Sequence, residues 1–330
     1  MTPRESMIRA LRREAPEGLV PHLELEYQLT AEEFGQQALS GHSLEGLTGA
    51  ARDDALKSNA ELWIRVAERF RWSVITGLHW LPHDDQCRSM ELVRELSGDT
   101  YMLSAFLDPT YAIPSGEHMM EHTIFLTEHP DDAKAQSRES CAGQLRTARS
   151  LRDAGAEIVF MCADYCFNTG PFLSPTMFAE FVTPILTEFV SGLHELGMFA
   201  VKHTDGDIMP IAGQLVSSGA DALHSLDPMA GVDVRRLARE VGDRICLIGN
   251  VDCSYLQEAR TELIRESTLY ALEYGGVDRG GYALASSNCI FRGVPQSSYD
   301  MMLRVRDEYG YPGVTRPVDG LEPPKPMGRR

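Results

Sequence analysis

Short apolar runs alternate with longer amphipathic stretches along most of this chain. The apolar runs have the length of buried strands, and most of the stretches between them have room for a helix. This alternation is typical of βα units around a parallel sheet. The eight predicted strands are 19–25, 72–78, 101–107, 157–162, 199–202, 222–225, 245–249 and 281–285.

Eight strands in a chain of 330 residues favour one α/β fold, the (β/α)8 TIM barrel, over an open doubly wound sheet. The hydrophobic content of 43% is enough to build a large core. We therefore predict a single barrel domain over residues 1–312. The remaining segment, 313–330, contains prolines and glycines and little apolar periodicity, which predicts an extended or disordered tail.

Helix boundaries support the same organisation. The opening Thr2-Pro-Arg-Glu5 has the pattern of a capping box with a first-turn proline, which predicts an N-terminal helix. Ser174-Pro175 has a similar pattern and predicts the start of one helix over 175–196. Segments 81–96 and 108–121 are predicted to be long loops over the barrel mouth, where such loops shape a substrate pocket.

Charge and cysteine content limit the class of partner. The 31 basic and 48 acidic residues give a net charge of −17, which disfavours binding to nucleic acid or to an anionic membrane. Seven cysteines without regular spacing do not form the pattern of a disulfide framework. The N-terminus lacks an apolar signal core, and no run approaches the roughly 18 apolar residues of a membrane span. We therefore expect a cytoplasmic protein that acts on a small molecule.

The segment 201–207, Val-Lys-His-Thr-Asp-Gly-Asp, carries the most informative chemistry. It follows an apolar run and precedes a helix-like stretch, so His203 and Asp205 fall where a strand ends. Two side chains able to bind a metal or transfer a proton are common at the mouth of an α/β barrel. A surface turn in which Asp207 caps the next helix is the alternative explanation.

Titratable and polar side chains follow the other predicted strands as well. Each has a structural explanation when taken singly, such as a hydrogen-bonded core histidine or a turn-forming aspartate. In a barrel, however, all strand ends face one site, and this density favours function. The strand-end residues are Glu24, Glu26, His79, Asp108, Asp164, Tyr165, Cys166, His203, Asp205, His224, Asp227, Asn250, Asp252, Cys253, Ser287, Asn288 and Cys289.

Several of these segments resemble the uroporphyrinogen decarboxylase superfamily. The resemblance covers about 2–312 and implies a barrel with a deep cleft at the carboxyl face. The superfamily holds two chemistries: cofactor-free decarboxylation of uroporphyrinogen, and methyl transfer to or from a cobalt corrinoid, usually with zinc. The resemblance also makes a homodimer plausible. The matching segments are Thr2-Pro-Arg-Glu5 with Val20-Pro21, 163–175 with 181–184, 203–206, 247–252, and 285–288 with 293–295.

The resemblance to true decarboxylases fails at two motifs. Those enzymes carry arginines just after strand one, where this chain has Pro21-His-Leu-Glu-Leu-Glu-Tyr27. Glu24 and Glu26 would repel a substrate with many carboxylates. The family's aspartate after strand two is also missing from Gly77-Leu-His-Trp80. The chain is therefore closer to the methyltransferase branch.

The methyltransferase branch differs in its predicted metal ligands. Members that methylate a thiol carry a His-x-Cys pair after strand five and a further cysteine after strand eight. Here the pair is His203 and Asp205, and Asn288 takes the later position with Cys289 beside it. Imidazole and carboxylate make a harder metal centre, which suits polarising an ether oxygen. The resemblance thus implies zinc-dependent transfer of a methyl group from a small methoxylated or methylated substrate to a corrinoid (cobalamin) on a partner protein.

The candidate residues divide into three predicted roles. The predicted metal ligands are His203, Asp205, Glu24 and Cys289. The predicted catalytic residues are Glu26, His79, Asp164 and Asp252. The predicted substrate-binding residues are Tyr165, Asn288, His224 and Asn250.

Two other functions remain open. One is a carboxy-lyase for a porphyrinogen or another small carboxylate, with His203 and Asp205 as acid and base. Lys202 or Arg292 would then bind the carboxylate. The other is a corrinoid or porphyrin carrier, although a carrier needs fewer titratable groups than these strand ends provide.

Overall fold

The computed structural model describes residues 1–324. Nine strands form within this part of the chain. They are β1 (Val74–Ile75), β2 (Met102–Phe106), β3 (Ile158–Met161), β4 (Cys166–Phe167), β5 (Gly170–Pro171), β6 (Phe199–His203), β7 (Ala222–Ser225), β8 (Cys246–Gly249) and β9 (Tyr282–Ala283). Strands β4 and β5 form a separate antiparallel hairpin. The other seven form a curled parallel sheet in the order β1-β2-β3-β6-β7-β8-β9.

Thirteen α-helices occur in the described residues. They are α1 (Pro3–Leu11), α2 (Thr30–Phe34), α3 (Gly49–Phe70), α4 (His83–Ser97), α5 (Met119–Glu128), α6 (Pro130–Asp153), α7 (Pro175–Phe181), α8 (Thr183–Glu195), α9 (Ala212–Ser217), α10 (Val234–Val241), α11 (Cys253–Gln257), α12 (Thr261–Gly275) and α13 (Gln296–Tyr309). Short 3-10 helices cover Gly41–Leu44, Gly77–Trp80 and Pro228–Ala230. None of the helices within 1–324 is both long and apolar enough to cross a membrane.

Both edges of the sheet contact the segment 21–24. The Leu284 amide, next to β9, donates to Pro21 O at 2.9 Å, and the Ser73 amide, next to β1, donates to His22 O at 2.7 Å. This α/β fold is therefore consistent with a TIM-like barrel. The first predicted strand, 19–25, forms only an isolated bridge from His22 to Leu284. Pro21 contributes to this difference because proline has no amide hydrogen for a ladder.

The interior of the curled sheet is apolar and closed at one end. Side chains such as Phe160, Val201 and Ile248 form one buried cluster with Met7 and Leu11 of α1. The Arg4 amide donates to Thr100 O, just before β2 begins, so α1 lies at the amino ends of the strands. A second buried cluster fills the space between the sheet and its helices. The carboxyl ends of the strands are therefore the end available for a site.

Two predicted segments differ from the structure. The segment 81–96 is helix α4, not a loop, and its buried residues recur at helical spacing from Asp85 to Val93. The single helix predicted over 175–196 is broken at Val182 into α7 and α8. Pro184 accounts for the break because it cannot donate a helical hydrogen bond. The capping box of α1 is confirmed.

The described part of the C-terminal segment, 313–324, contains neither helix nor strand. It is nevertheless attached to the fold, because Arg316 is buried and its Nη1 lies 2.7 Å from Asp278 Oδ2. The prediction for 325–330 lies outside the described residues.

Candidate metal centre at the carboxyl ends of the strands

Asp164, His203 and Asp205 form a group in which one ligand atom of each lies within 4.8 Å of the others. His203 Nε2 is 4.0 Å from Asp164 Oδ1 and 3.8 Å from Asp205 Oδ1. His203 ends β6, and Asp164 follows β3, which pairs with β6 in the sheet. Strand pairing therefore brings these three side chains together. One nitrogen and two carboxylate oxygens are ligands that divalent metals accept.

Asp205 is held by two hydrogen-bond donors. Ser225 Oγ donates to its Oδ1 at 2.7 Å, and Asn288 Nδ2 donates to its Oδ2 at 2.5 Å. Burial raises the pKa of Asp205 to about 7, and repulsion from Asp164 and Asp227 adds to this effect, while the two donors oppose it. Concentrated negative charge in a partly buried site is unfavourable unless a cation or protons neutralise it.

The rings of His203 and His224 meet beneath this group. The two residues occupy paired positions on β6 and β7, and their Nδ1 atoms are 2.8 Å apart. Burial lowers the pKa of His203 well below its usual value, and the His224 and Lys202 charges lower it further. Burial also lowers the pKa of His224 to about 3. Both rings are therefore neutral near pH 7, and a neutral imidazole is the form that binds a metal.

Two predicted metal ligands lie outside this group. Glu24 is completely buried and accepts hydrogen bonds from Ser286 N at 3.2 Å and from Ser286 Oγ. Burial raises the pKa of Glu24 to about 8, so its proton is retained near neutral pH. Cys289 lies close to Asp205 on the cleft wall but is not a member of the group within residues 1–324. Asp164, predicted as a catalytic residue, is the third member of the group.

Glu26 and His79 form a pair beside the site. His79 Nε2 is 3.3 Å from Glu26 Oε1, and His79 Nδ1 donates to the Thr76 carbonyl at 2.9 Å. Because Nδ1 carries a hydrogen, Nε2 is the ring nitrogen that faces the carboxylate. Burial raises the pKa of Glu26, but the His79 and Gln28 side chains lower it more, and the net shift is downward. Glu26 is therefore ionised near neutral pH.

A cleft of about 370 Å³ opens beside Asp205. Its wall includes Asn288 and Cys289 together with the apolar side chains Met229 and Phe291. None of the described residues that line it is a lysine or an arginine. The cleft therefore suits a small ligand with an apolar part, and it lacks a cationic side chain that would select an anion.

Four of the predicted residues contact the protein interior and are not among the residues that line this cleft. Tyr165 is buried, and its hydroxyl lies 2.6 Å from Thr110 Oγ1. Asn250 Nδ2 donates to Leu226 O at 3.0 Å, and Asp252 Oδ1 caps α11 by accepting from Ser254 N at 2.8 Å. The fourth is His224, with its contact to His203. Of the predicted substrate-binding residues, Asn288 is the one at the cleft wall.

Ser225 and Ser286 were not predicted as site residues, although each contacts a site carboxylate. Ser225 is the last residue of the predicted strand 222–225, and this strand-end position is the one sequence feature that could have indicated a site residue. Serine at a strand end is too common to indicate a site without knowledge of its neighbours.

Two solved structures share this fold over most of the chain. A methyltransferase from Methanosarcina mazei has a TM-score of 0.71 at 17% sequence identity, covering 93% of this chain and 99% of that one. A B12-independent methionine synthase from Shewanella sp. W3-18-1, in complex with selenomethionine, has a TM-score of 0.53 at 11% identity, covering 89% and 93%. At these identities, the likeness establishes the fold alone. No curated protein sequence matches the chain.

The family model described as Uroporphyrinogen decarboxylase (URO-D) matches residues 101–309. The match runs from β2 to the end of α13 and includes the group Asp164, His203 and Asp205. It covers more than half of the 330 residues. The chain therefore belongs to the uroporphyrinogen decarboxylase (URO-D) family.

Proposed function

We propose that this protein is a metal-dependent methyltransferase, with zinc as the metal. It moves a methyl group from a small methoxylated or methylated compound to a corrinoid carrier on a partner protein. The observation that carries this proposal is the group Asp164, His203 and Asp205 beside the cleft.

The donor set fits a divalent metal. Zinc accepts imidazole nitrogen and carboxylate oxygen, and a catalytic zinc site uses three protein ligands and keeps one position open. Two carboxylates make the site harder than one built from thiolates. A bound metal would supply Lewis acidity, which draws charge from a leaving oxygen. Burial raises the pKa of Asp205 and repulsion from Asp164 and Asp227 adds to the shift, so a bound cation would relieve unfavourable charge here.

The chain's own residues then orient the reactants and supply a proton. Ser225 and Asn288 hold both oxygens of Asp205 in place. Met229 and Phe291 contact the apolar part of the substrate. His79, whose Nε2 lies 3.3 Å from Glu26 Oε1, donates a proton to the leaving oxygen as general acid. Burial raises the pKa of the Cys289 thiol on the cleft wall, and the charges of Glu26 and Asp205 raise it further.

The proposed reaction balances when the corrinoid is treated as the acceptor substrate. The carbon–oxygen bond of the methoxy group breaks, and both of its electrons stay with oxygen. Co(I) of the acceptor provides the electron pair of the new cobalt–carbon bond and becomes Co(III). The leaving oxygen takes one proton and becomes a hydroxyl group.

We also propose that the sheet closes as a (β/α)8 barrel in one domain over 1–312. The segment 21–24 would take the place of the eighth strand, because it accepts hydrogen bonds from residues beside both β1 and β9. The homodimer suggested by the family resemblance stays a prediction.

The carboxy-lyase alternative has less support because neither of its two candidate cations is among the residues that line the cleft. Lys202 Nζ donates to Asp108 Oδ2 at 2.7 Å, to Met161 O at 3.0 Å and to Ala163 O at 2.8 Å. Those three bonds use all three ammonium hydrogens. Arg292 Nη2 donates to Gln37 Oε1 at 2.8 Å in an exposed position. A substrate carboxylate in the cleft would therefore lack the cationic partner that it needs.

The test is the metal content of the purified, untagged protein by mass spectrometry. We expect near-stoichiometric zinc in the unaltered protein, and its loss in His203→Ala and Asp205→Asn. Asp207→Asn is the matched control, because Asp207 lies in the same loop outside the ligand group and caps the following turn. A protein that stays metal-free after incubation with zinc would overturn the ligand group.

Methyl transfer is then assayed with methoxylated compounds and Co(I) cobalamin. Release of carbon dioxide from a small carboxylate tests the lyase alternative.

A further inference from the structure

The contact between His203 and His224 restricts where their protons lie. Their Nδ1 atoms are 2.8 Å apart, and the residues are only 5% and 1% exposed. Two neutral imidazoles can share such a contact only when one Nδ1 carries a hydrogen and the other presents a lone pair. The bridging hydrogen therefore belongs either to His203 or to His224.

The other nitrogen of His203 decides between these two arrangements. His203 Nε2 lies 3.8 Å from Asp205 Oδ1 and 4.0 Å from Asp164 Oδ1, so it faces the ligand group. A neutral histidine binds a metal through its bare nitrogen and carries its hydrogen on the other. If Nε2 is the ligand, the hydrogen must lie on His203 Nδ1, and His224 Nδ1 must accept it.

We propose that His224 is a positioning residue whose Nδ1 accepts the hydrogen of His203 Nδ1. This bond holds the His203 ring in the tautomer and orientation that direct the Nε2 lone pair toward Asp164 and Asp205. The inference rests on the proposed function, because it assigns His224 to the support of a metal ligand. It replaces the substrate-binding role predicted for His224.

Packing alone does not account for a histidine at this position. His224 Nε2 is buried and lacks a hydrogen-bond partner among residues 1–324. In the proposed arrangement this nitrogen carries the single N–H hydrogen of the neutral His224 ring. A buried N–H without an acceptor is unfavourable. An apolar side chain beside Phe160, which packs edge-on against the ring with a centroid distance of 6.1 Å, would avoid that cost. The bond to His203 is the contact that an apolar residue could not replace.

Two variants of matched size separate the hydrogen bond from packing. His224→Asn places an amide oxygen near the position of Nδ1 and keeps an acceptor, whereas His224→Leu removes it. Zinc affinity is measured by competition with a chelator, and thermal unfolding of the metal-free proteins monitors the fold. We expect His224→Leu to weaken zinc binding about 10- to 100-fold, as is usual when the partner of a metal-binding histidine is lost. We expect His224→Asn to retain most of the affinity.

Nitrogen-15 NMR of the histidine rings gives a readout that packing would not change. In the zinc-loaded protein we expect a hydrogen on His203 Nδ1 that exchanges slowly with water, and fast exchange of that hydrogen in His224→Leu. The His203→Ala spectrum assigns the resonance. Equal zinc affinity of His224→Leu and the unaltered protein, or a bare Nδ1 in the loaded protein, would overturn the inference alone. Failure of the unaltered protein to bind zinc would overturn the proposed function together with it.

Discussion

Asn288 Nδ2 donates to Asp205 Oδ2 at 2.5 Å, although 83 positions separate these residues in the sequence. Asp205 follows β6, and Asn288 follows β9, so the bond spans the carboxyl ends of strands that are not neighbours in the sheet. It fixes the second oxygen of a carboxylate whose first oxygen accepts from Ser225. Asn288 therefore helps to determine the charge state of Asp205.

We predict that Asn288→Leu raises the pKa of Asp205 above its present value of about 7. The amide stabilises the ionised carboxylate, so its loss favours the protonated form. Protons compete with metal for this oxygen, and the pH at which zinc uptake is half complete should therefore move upward. Carbon-13 NMR of the Asp205 carboxyl in the metal-free protein, followed against pH, measures the pKa directly. An unchanged Asp205 pKa in Asn288→Leu would show that the hydrogen bond from Asn288 does not stabilise the ionised carboxylate.

A second prediction concerns Glu24 and stability. Burial raises the pKa of Glu24 from its ordinary 4.5 to about 8 in the folded protein. Between these values the folded state binds more protons than the unfolded state, so the free energy of unfolding falls as pH rises. The slope approaches about 1.4 kcal/mol per pH unit at most. We expect Glu24→Gln to remove this contribution, because its amide cannot ionise.

Urea unfolding of the unaltered protein and Glu24→Gln at pH 5 and pH 8 measures this effect. The unaltered protein should lose more stability than the variant between the two conditions. Glu121→Gln is a suitable control because Glu121 is exposed. Parallel pH dependence in both proteins would mean that Glu24 is already ionised in the fold.

A third prediction separates structure from substrate binding at Lys202. Lys202→Met leaves Asp108 without its cation in a largely buried position. Loss of one partner from a buried ion pair costs about 3–5 kcal/mol. The double variant Lys202→Met/Asp108→Asn should recover part of this loss, because it removes the unpaired charge. Urea unfolding measures the free energy of unfolding of the single and the double variant. A fully stable Lys202→Met that no longer binds a carboxylate would instead favour the lyase alternative.

The strand ends could be located from the sequence, but the side-chain directions beyond them could not. His203 and Asp205 were predicted because an apolar strand stops there. Period-two alternation ends with the strand, so it does not indicate that Tyr165, Asn250 and Asp252 contact the interior. Their hydrogen bonds to Thr110, Leu226 and Ser254 depend on how neighbouring loops fold.

The place of Asp164 in the proposed ligand group depends on tertiary pairing. The β4–β5 hairpin and the whole of α7 and α8 separate Asp164 from His203 in the chain, and the two residues meet because β3 and β6 are adjacent. Periodicity predicted both strands without their order in the sheet. Glu24, predicted as a metal ligand, also follows a predicted strand end, but the strand pattern does not indicate that its carboxylate contacts Ser286.

The last prediction concerns the proton that the leaving oxygen needs. We propose His79 as the proton donor, and its Nε2 lies 3.3 Å from Glu26 Oε1. Glu26→Gln removes the carboxylate of this proposed general-acid pair. We expect the rate of methyl transfer to fall about 10²- to 10⁴-fold, the usual contribution of a general acid. The loss should be smallest for methyl ethers of acidic phenols, because their phenoxides leave without a proton. The measurement is kcat for a series of methoxyarenes of increasing phenol acidity, with zinc content determined alongside. An equal loss for every donor, or loss of zinc, would show that Glu26 supports the site in another way.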